Sequence, residues 1–125
     1  MKNLPKVAIL SVFYNRENFV RDSVTSLLVQ TYQNLEIILV DDNSKDNTFQ
    51  LIKNVTIGDD RVRCIRNSIN KGFTQTLIDT IQDLDAEYIA IHESGDISIE
   101  SRISVQVEYL LNNPNVGVVT TDLVN

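Results

Sequence analysis

Two adjacent carboxylates lie at the end of an apolar run near the middle of the chain. The run is residues 37–40 (Ile-Ile-Leu-Val), the acids are Asp41 and Asp42, and a polar, turn-forming segment, residues 43–48, follows them. Large aliphatic residues without polar alternation predict a strand that is covered on both faces, as in a parallel sheet. Ligands of open α/β sheets bind at the carboxyl ends of such strands, so both acids are candidates to contact a small polar molecule. The alternative is that one acid only caps the next helix.

Two other polar segments follow strand-like apolar runs. Residues 14–16 (Tyr-Asn-Arg) come after the run 6–13, and residues 93–96 (Glu-Ser-Gly-Asp) come after the run 87–91, with His92 between them. Right-handed crossovers bring the carboxyl ends of parallel strands to the same rim of a sheet. We therefore expect an aromatic residue, an amide, a cation and several acids to converge on one polar rim.

Hydrophobic periodicity divides the rest of the chain into alternating strands and helices. This alternation predicts βαβ units in an α/β fold, a Rossmann-like, mostly parallel sheet with helices on both faces. We expect residues 1–125 to form a single domain with a proper core. The predicted strands are 6–13, 36–40, 61–65, 87–91 and 115–121, and the predicted helices are 17–31, 46–53, 73–84 and 103–111.

Composition and charge exclude several classes of protein. The formal net charge of −6 argues against sequence-independent binding of nucleic acid. The one cysteine, Cys64, excludes an internal disulfide, and the one histidine, His92, gives no metal cluster with it. No run approaches the roughly 18 apolar residues of a membrane span, and the start lacks a full secretory signal. We therefore expect a cytoplasmic protein. We also expect this sequence to be a piece of a longer protein, because it stops just beyond a predicted strand.

Two phosphate-binding motifs and one signalling pattern do not match this sequence. No Gly-x-Gly-x-x-Gly follows the first predicted strand, which sets aside a dinucleotide-binding Rossmann domain, and no Gly-x-x-x-x-Gly-Lys-Ser/Thr is present. A receiver-like signalling domain would have paired acids after the first strand, whereas Asp41 and Asp42 follow the second. These folds therefore do not account for the polar rim.

Several segments, taken in order from about Val7 to Leu111, resemble the nucleotide-sugar-binding half of a family 2 glycosyltransferase with the GT-A fold. The combination of the Tyr-Asn turn, the Gln-Thr-Tyr triplet and the Val-Asp-Asp-Asn-Ser run is specific, although each alone is weak. The resemblance implies a nucleoside-diphosphate-sugar donor, often UDP-linked, and inversion at the anomeric carbon. It also implies a saccharide or lipid-linked acceptor in polysaccharide biosynthesis. The matching segments are residues 7–15, 26–32, 36–48, 70–72 and 87–96.

The resemblance assigns roles to residues of the rim. Asp42 matches the base reader of the family, since a carboxylate accepts the N3–H of uracil in a strong, charge-assisted bond. Tyr14 is expected to stack on or flank the base, and Asp41 to be structural or a secondary contact. The alternatives are a half-buried aromatic at a strand end for Tyr14 and a solvated surface cation for Arg16. The predicted nucleotide-binding residues are Val12, Tyr14, Asn15, Arg16, Asp41, Asp42, Lys71 and Glu93, with Asn70 and Gly72 lining the pocket or forming an ordinary turn.

The loop after the fourth predicted strand departs from the acidic pattern of the family. The resemblance implies Asp-x-Asp-Asp or a close variant there, which would bind Mg²⁺ or Mn²⁺ through oxygen ligands. Here Glu93 stands in place of the first acid and Gly95 in place of the middle one. Asp96 is the predicted metal ligand, with Glu93 near the ribose or the metal. The alternative is a helix-capping loop in which Asp96 or Ser98 is the cap.

The catalytic base is expected outside this sequence, because nothing from Asp96 to Asn125 matches the family motif that supplies it. Asp122 is a candidate for the border of the acceptor cleft but not for the base. The first hypothesis is therefore the donor domain of an inverting, metal-dependent glycosyltransferase, which acts in the cytoplasm or at the inner face of the membrane. The alternative is a catalytically inactive nucleotide-sugar-binding module of the same fold.

Overall fold

The computed structural model describes residues 4–121, in which strands and helices alternate along the chain. Every strand contains apolar residues, and every helix has an apolar face that it can bury against the sheet. The elements are β1 (Val7–Phe13), α1 (Val20–Leu28), β2 (Leu35–Asp41), α2 (Thr48–Val55), β3 (Val62–Arg66), α3 (Phe73–Ile81), β4 (Tyr88–Ile91) and α4 (Arg102–Asn112).

The four strands of the described residues form one parallel sheet in the order β3-β2-β1-β4. β1 and β2 pair along their whole length, so that Phe13 lies opposite Asp41 at the carboxyl end. The chain moves outward from β1 through β2 to β3 and then returns to pair β4 with the other side of β1. The order therefore reverses between β1 and β4, and ligands of open α/β sheets bind outside the strand ends at such a reversal.

Alternate residues of the strands face two separate apolar layers. Ile37 and Leu39 of β2 face α1, α2 and α4, whereas Ile38 and Val40 face α3 through Leu77. All four β2 residues are at most 1% exposed, as expected for a strand covered on both faces. The predicted α/β fold, with a parallel sheet and helices on both faces, is confirmed. None of the helices in the described part of the chain is long and apolar enough to cross a membrane.

The structure corrects one predicted strand and the bounds of three helices, since α2 is Thr48–Val55 rather than 46–53 and α3 ends at Ile81 rather than at residue 84. Residues 115–121 form no strand, and Val118 is 80% exposed, because an apolar run needs a partner edge as well as a suitable pattern. α1 begins at Val20 rather than at residue 17, because the backbone N–H of Glu17 donates to the Asp46 carboxylate of a neighbouring loop. Asp122, the candidate for the acceptor border, lies outside the described residues.

Candidate functional site

The loop after β1 is fastened to the loop after β2 by hydrogen bonds between backbone and side chains. Asn15 N donates to Ser44 Oγ at 2.9 Å, and Lys45 N donates to Asn15 Oδ1 at 2.8 Å. Arg16 N donates to Thr48 Oγ1 at 2.8 Å. The two loops thus form one continuous ledge at the carboxyl edge of the sheet. Most polar residues of the segment 43–48 therefore make hydrogen bonds between the two loops.

Two asparagines allow the chain to turn within this ledge. Asn15 has φ of 52° and Asn43 has φ of 63°, both in the left-handed region. Asparagine tolerates this region better than most residues, because its short polar side chain can hydrogen-bond locally. In Asn15 the side-chain oxygen makes such a bond to Lys45 N, so the turn and the cross-loop contact support each other.

Asp41 is fully buried, and its carboxylate is used within the ledge. It accepts Ser44 N at 3.0 Å and Ser44 Oγ at 2.5 Å, and Arg66 Nε lies 3.5 Å from Oδ2. Ser44 in turn accepts the N–H of Asn15. The carboxylate of Asp41 therefore shapes the turn that follows β2, on the side of the sheet covered by α1 and α2.

Asp42 points to the other side of the sheet, where the loop before α3 surrounds its carboxylate. Asn67 Nδ2 and Lys71 N donate to Oδ1 at 2.9 and 2.8 Å, and Gly72 N donates to Oδ2 at 2.9 Å. Gly72 has φ of 85°, a conformation that favours glycine and that brings its N–H to the acid. Neither Asp41 nor Asp42 caps α2; the capping contact of Asp42 is to the residue before α3.

The carboxylate of Asp42 is buried but ionised. Burial by itself raises the pKa of Asp42, but the hydrogen bonds from Asn67, Lys71 and Gly72 outweigh it and hold the pKa below its usual value. A carboxylate has about four acceptor positions, and three are occupied by these donors. One acceptor position therefore remains, on Oδ2.

Lys71 takes part in this arrangement through its backbone. Its Nζ lies 2.9 Å from Asp79 Oδ2 on α3, so the side chain lies along the helix. Asn70 Nδ2 donates to the carbonyl oxygen of Asp42 at 3.2 Å. The loop before α3 therefore surrounds Asp42 with backbone and amide donors.

A cleft of about 230 Å³ lies beside these loops, where the order of the strands reverses. Val12 of β1 and Arg16 form one side of the cleft, and Glu93 and Ser94 form the other. Phe73, the first residue of α3, completes the lining of the cleft and was not among the predicted nucleotide-binding residues. Tyr14 is 41% exposed on the same rim but does not line the cleft.

The loop after β4 carries two acids on one turn. Asp96 N donates to the carbonyl oxygen of Glu93 at 3.0 Å; the Glu93 side chain is exposed and Asp96 is half-buried. Within residues 4–121 no group of three or more histidine, cysteine or acidic side chains could hold a metal ion. The carboxylates are hard oxygen ligands that suit Mg²⁺ or Mn²⁺, which commonly keep waters and phosphate oxygens as further ligands. The residues fit a metal shared with a diphosphate, not one held by protein alone.

Polar residues of α1 and of the segment after it hold the chain between β4 and α4. Ser98 N donates to Ser26 Oγ at 3.0 Å, Gln30 Nε2 donates to the carbonyl oxygen of Ile99 at 2.8 Å, and Ile103 N donates to Gln30 Oε1 at 3.1 Å. The sequence offered one signal for this role, namely polar residues at positions where an amphipathic helix should be apolar. These contacts give Gln30, the first residue of the Gln-Thr-Tyr triplet, a physical function.

Two solved structures share this architecture. The mannosyltransferase PcManGT from Pyrobaculum calidifontis, solved with GDP-Man and Mn²⁺, matches with a TM-score of 0.84 and 18% identity, over 92% of this chain and 34% of its own. TarS 1-349 from S. aureus, solved with UDP, matches with a TM-score of 0.79 and 17% identity, over 92% of this chain and 38% of its own. The fold is therefore the GT-A class.

The chain belongs to glycosyl transferase family 2, whose family model matches residues 8–122. An uncharacterized glycosyltransferase of Haemophilus influenzae is 34% identical over 93% of this chain and 36% of its own length. The Escherichia coli enzyme WfaP, a UDP-Glc:alpha-D-GlcNAc-diphosphoundecaprenol beta-1,3-glucosyltransferase, is 34% identical over 83% of this chain and 41% of its own length. The chain thus spans less than half the length of these relatives. The predicted family is confirmed.

Proposed function

We propose that this chain is the donor-binding domain of an inverting glycosyltransferase that uses a UDP-linked sugar. The observation that carries this proposal is the buried, ionised Asp42, which follows β2 at the carboxyl edge of the sheet and keeps one acceptor position on Oδ2. An acceptor hydroxyl would attack the anomeric carbon of a hexose, and the nucleoside diphosphate would leave. The name of WfaP, a relative that uses UDP-Glc, supports the choice of donor.

The number of free acceptor positions favours uracil over guanine. Uracil presents one N–H, at N3, between two carbonyl groups, whereas guanine presents N1–H and an N2 amino group side by side. Reading guanine with a carboxylate requires both oxygens, and Oδ1 of Asp42 already accepts Asn67 Nδ2 and Lys71 N. A single remaining position on Oδ2 suits a single donor. Tyr14 would flank the base from the rim.

The cleft residues would receive the rest of the donor. The Arg16 guanidinium is a candidate for the diphosphate, and Glu93 is a candidate for the ribose or the metal. Asp96 would hold Mg²⁺ or Mn²⁺ together with phosphate oxygens. When bound, the ion would neutralise the charge that develops on the leaving diphosphate. The protein ligands would fix the position of the phosphates relative to Asp42.

The complete protein is proposed to act in the cytoplasm, including at the inner face of the membrane, on a saccharide or lipid-linked acceptor. The lipid-linked acceptor in the name of WfaP supports this part of the proposal. The catalytic base is placed outside residues 1–125. A catalytically inactive binding module of the same fold is the second candidate, and Gly95 at a position where the family pattern has an acid favours it.

Calorimetric titration of the chain with UDP and with GDP, each with MnCl₂ and with EDTA, tests the proposal. UDP is expected to bind about tenfold or more tightly than GDP, since one hydrogen bond to a charged group contributes about 1.5–3 kcal/mol. Mn²⁺ is expected to tighten UDP binding further. Failure of both nucleotides to bind would contradict the proposal. UDP binding without sugar transfer by a longer protein would favour the inactive module.

Asp96→Asn is expected to remove most of the gain in UDP affinity that Mn²⁺ provides, about tenfold, because the amide is a neutral and weaker ligand. UDP affinity in EDTA should stay at the wild-type value. Asp60→Asn is a matched control, since Asp60 is an exposed acid in the turn before β3, at the opposite end of the sheet. An unchanged manganese effect in Asp96→Asn would exclude Asp96 as a ligand.

A further inference from the structure

The imidazole of His92 is buried directly beneath the loop that carries Asp96. His92 follows β4 and is 1% exposed, although it is the only histidine in the chain and lies at the polar rim. Its Nε2 lies 3.0 Å from the carbonyl oxygen of Asp96 and 2.9 Å from Ser23 Oγ of α1. Its Nδ1 lies 2.9 Å from Ser98 Oγ. Both ring nitrogens therefore have polar partners inside the protein.

The partners determine which nitrogen carries the proton. A backbone carbonyl only accepts, so the Asp96 contact requires a hydrogen on Nε2. Arg102 Nη1 donates to Ser98 Oγ at 3.2 Å, and the Ser98 hydroxyl hydrogen is then free to be donated to Nδ1. A neutral ring with its hydrogen on Nε2 donates it to the Asp96 carbonyl, shares it with Ser23 Oγ, and accepts the Ser98 hydroxyl hydrogen at Nδ1. Burial, with a further contribution from the Arg102 charge, lowers the pKa of His92.

These contacts fix the backbone of Asp96 at both of its polar groups. Its N–H is bound by the carbonyl of Glu93 and its carbonyl by His92. The other partners of the ring belong to rigid parts of the fold, because Ser23 lies in α1 and Ser98 N is bound to Ser26 Oγ of the same helix. The hydrogen bond from the buried His92 to the Asp96 carbonyl thus helps to fix the direction in which the Asp96 side chain leaves the turn.

We propose that His92 is a positioning residue, which aims the Asp96 carboxylate through the chain of hydrogen bonds from Arg102 through Ser98 and the imidazole to the Asp96 carbonyl. This inference rests on the proposed function, in which Asp96 shares a metal with the diphosphate. Partners that orient a metal ligand typically contribute about 10- to 100-fold to metal affinity. His92 therefore governs the metal-dependent part of UDP binding and leaves the base contact of Asp42 alone.

The experiment compares three variants by the ratio of UDP dissociation constants in EDTA and in MnCl₂, with thermal melting as a check of folding. His92→Leu keeps apolar bulk but loses all three polar contacts of the ring, and its ratio is expected to fall about tenfold. His92→Gln retains a donor that can reach the Asp96 carbonyl and should recover much of the ratio. Gln30→Met is the matched control, because it removes buried contacts to residues 99 and 103 without touching Asp96.

The outcomes separate this inference from the proposed function. A wild-type ratio in folded His92→Leu, or an equal loss in Gln30→Met, would overturn the inference alone. A wild-type chain that binds no UDP would overturn the proposed function and this inference with it. Because the chain has one histidine, the ¹⁵N resonances of the ring in the wild-type protein report its tautomer without ambiguity. A hydrogen on Nδ1 would contradict the positioning contact, and one on Nε2 supports it whether or not the variants fold.

Discussion

Asp42→Asn is expected to weaken UDP binding by about 10- to 100-fold. The substitution removes the charge that strengthens a hydrogen bond to the uracil N3–H, and such a bond contributes about 1.5–3 kcal/mol. It also replaces one carboxylate oxygen by an NH₂ group, which meets other donors on whichever side it lies. Calorimetric titration with UDP in EDTA isolates this effect from that of the metal.

Asp83→Asn provides the control for the loss of one negative charge. Asp83 is exposed in the turn before β4, at the end of the sheet opposite to the rim. Its UDP affinity should equal that of the wild type within about twofold, because exposed charges at that distance are screened. If Asp42→Asn binds UDP as tightly as Asp83→Asn does, then Asp42 does not read the base.

Asp42→Asn should also change how the stability of the fold depends on pH. The folded-state pKa of Asp42 is lowered, so its contribution to stability is present above the unfolded pKa, about 3.9, and is lost as pH falls through the lower folded value. Asp42→Asn should therefore be less stable than the wild type at pH 7, with a difference that narrows below about pH 4. Urea unfolding as a function of pH measures this difference. A constant difference down to pH 2 would contradict it.

Asp41→Ala should differ from Asp42→Asn, with a large loss of stability and little loss of UDP affinity. Asp41 is fully buried, and its removal leaves Ser44 N without an acceptor and Arg66 without its ion-pair partner. Unsatisfied buried donors cost about 1–3 kcal/mol, and we expect a loss of about 2–3 kcal/mol in the free energy of unfolding. Urea unfolding at pH 7 gives this value. UDP affinity of the folded fraction should remain within about threefold of the wild type.

Ser44→Ala is the companion variant, because it removes the hydroxyl partner of Asp41 but keeps the backbone N–H and the ion pair with Arg66. The loss in the free energy of unfolding of Ser44→Ala should be smaller than that of Asp41→Ala, about 1 kcal/mol. A strong loss of UDP affinity in folded Asp41→Ala, comparable to that of Asp42→Asn, would show that Asp41 is also a nucleotide contact.

The sequence predicts what depends on local pattern. The buried run that ends at Asp41 identifies β2, and its lack of alternation predicts cover on both faces, which the structure confirms. The same logic fails for residues 115–121, because an apolar pattern does not reveal whether a neighbouring edge is available. The bounds of the four observed strands are predicted within about a residue. α1 begins later than predicted, because the Asp46 carboxylate of another loop accepts the N–H of Glu17, where the helix was predicted to begin.

The site is less predictable, because its contacts join residues far apart in the chain. Asp42 stands out in the sequence, but nothing there reveals that three donors of the loop before α3 occupy its carboxylate. The side chain of Lys71 was expected near the nucleotide, and its ion pair with Asp79 emerges only in three dimensions. His92 was expected only to pack at a strand end. The polar partners of its ring, Ser23, Ser98 and the Asp96 carbonyl, depend on how α1 meets the chain after β4.

The fastening of the loop after β1 to the loop after β2 has a kinetic consequence. Asn15, Ser44 and Thr48 hold these loops together without using the Asp42 carboxylate or the Arg16 guanidinium, which are proposed to touch the donor. The incoming nucleotide would therefore meet a surface that is already arranged, and little conformational entropy would be lost on encounter. Substitutions at the contacts should then shorten the residence time of the nucleotide while leaving its association rate nearly constant.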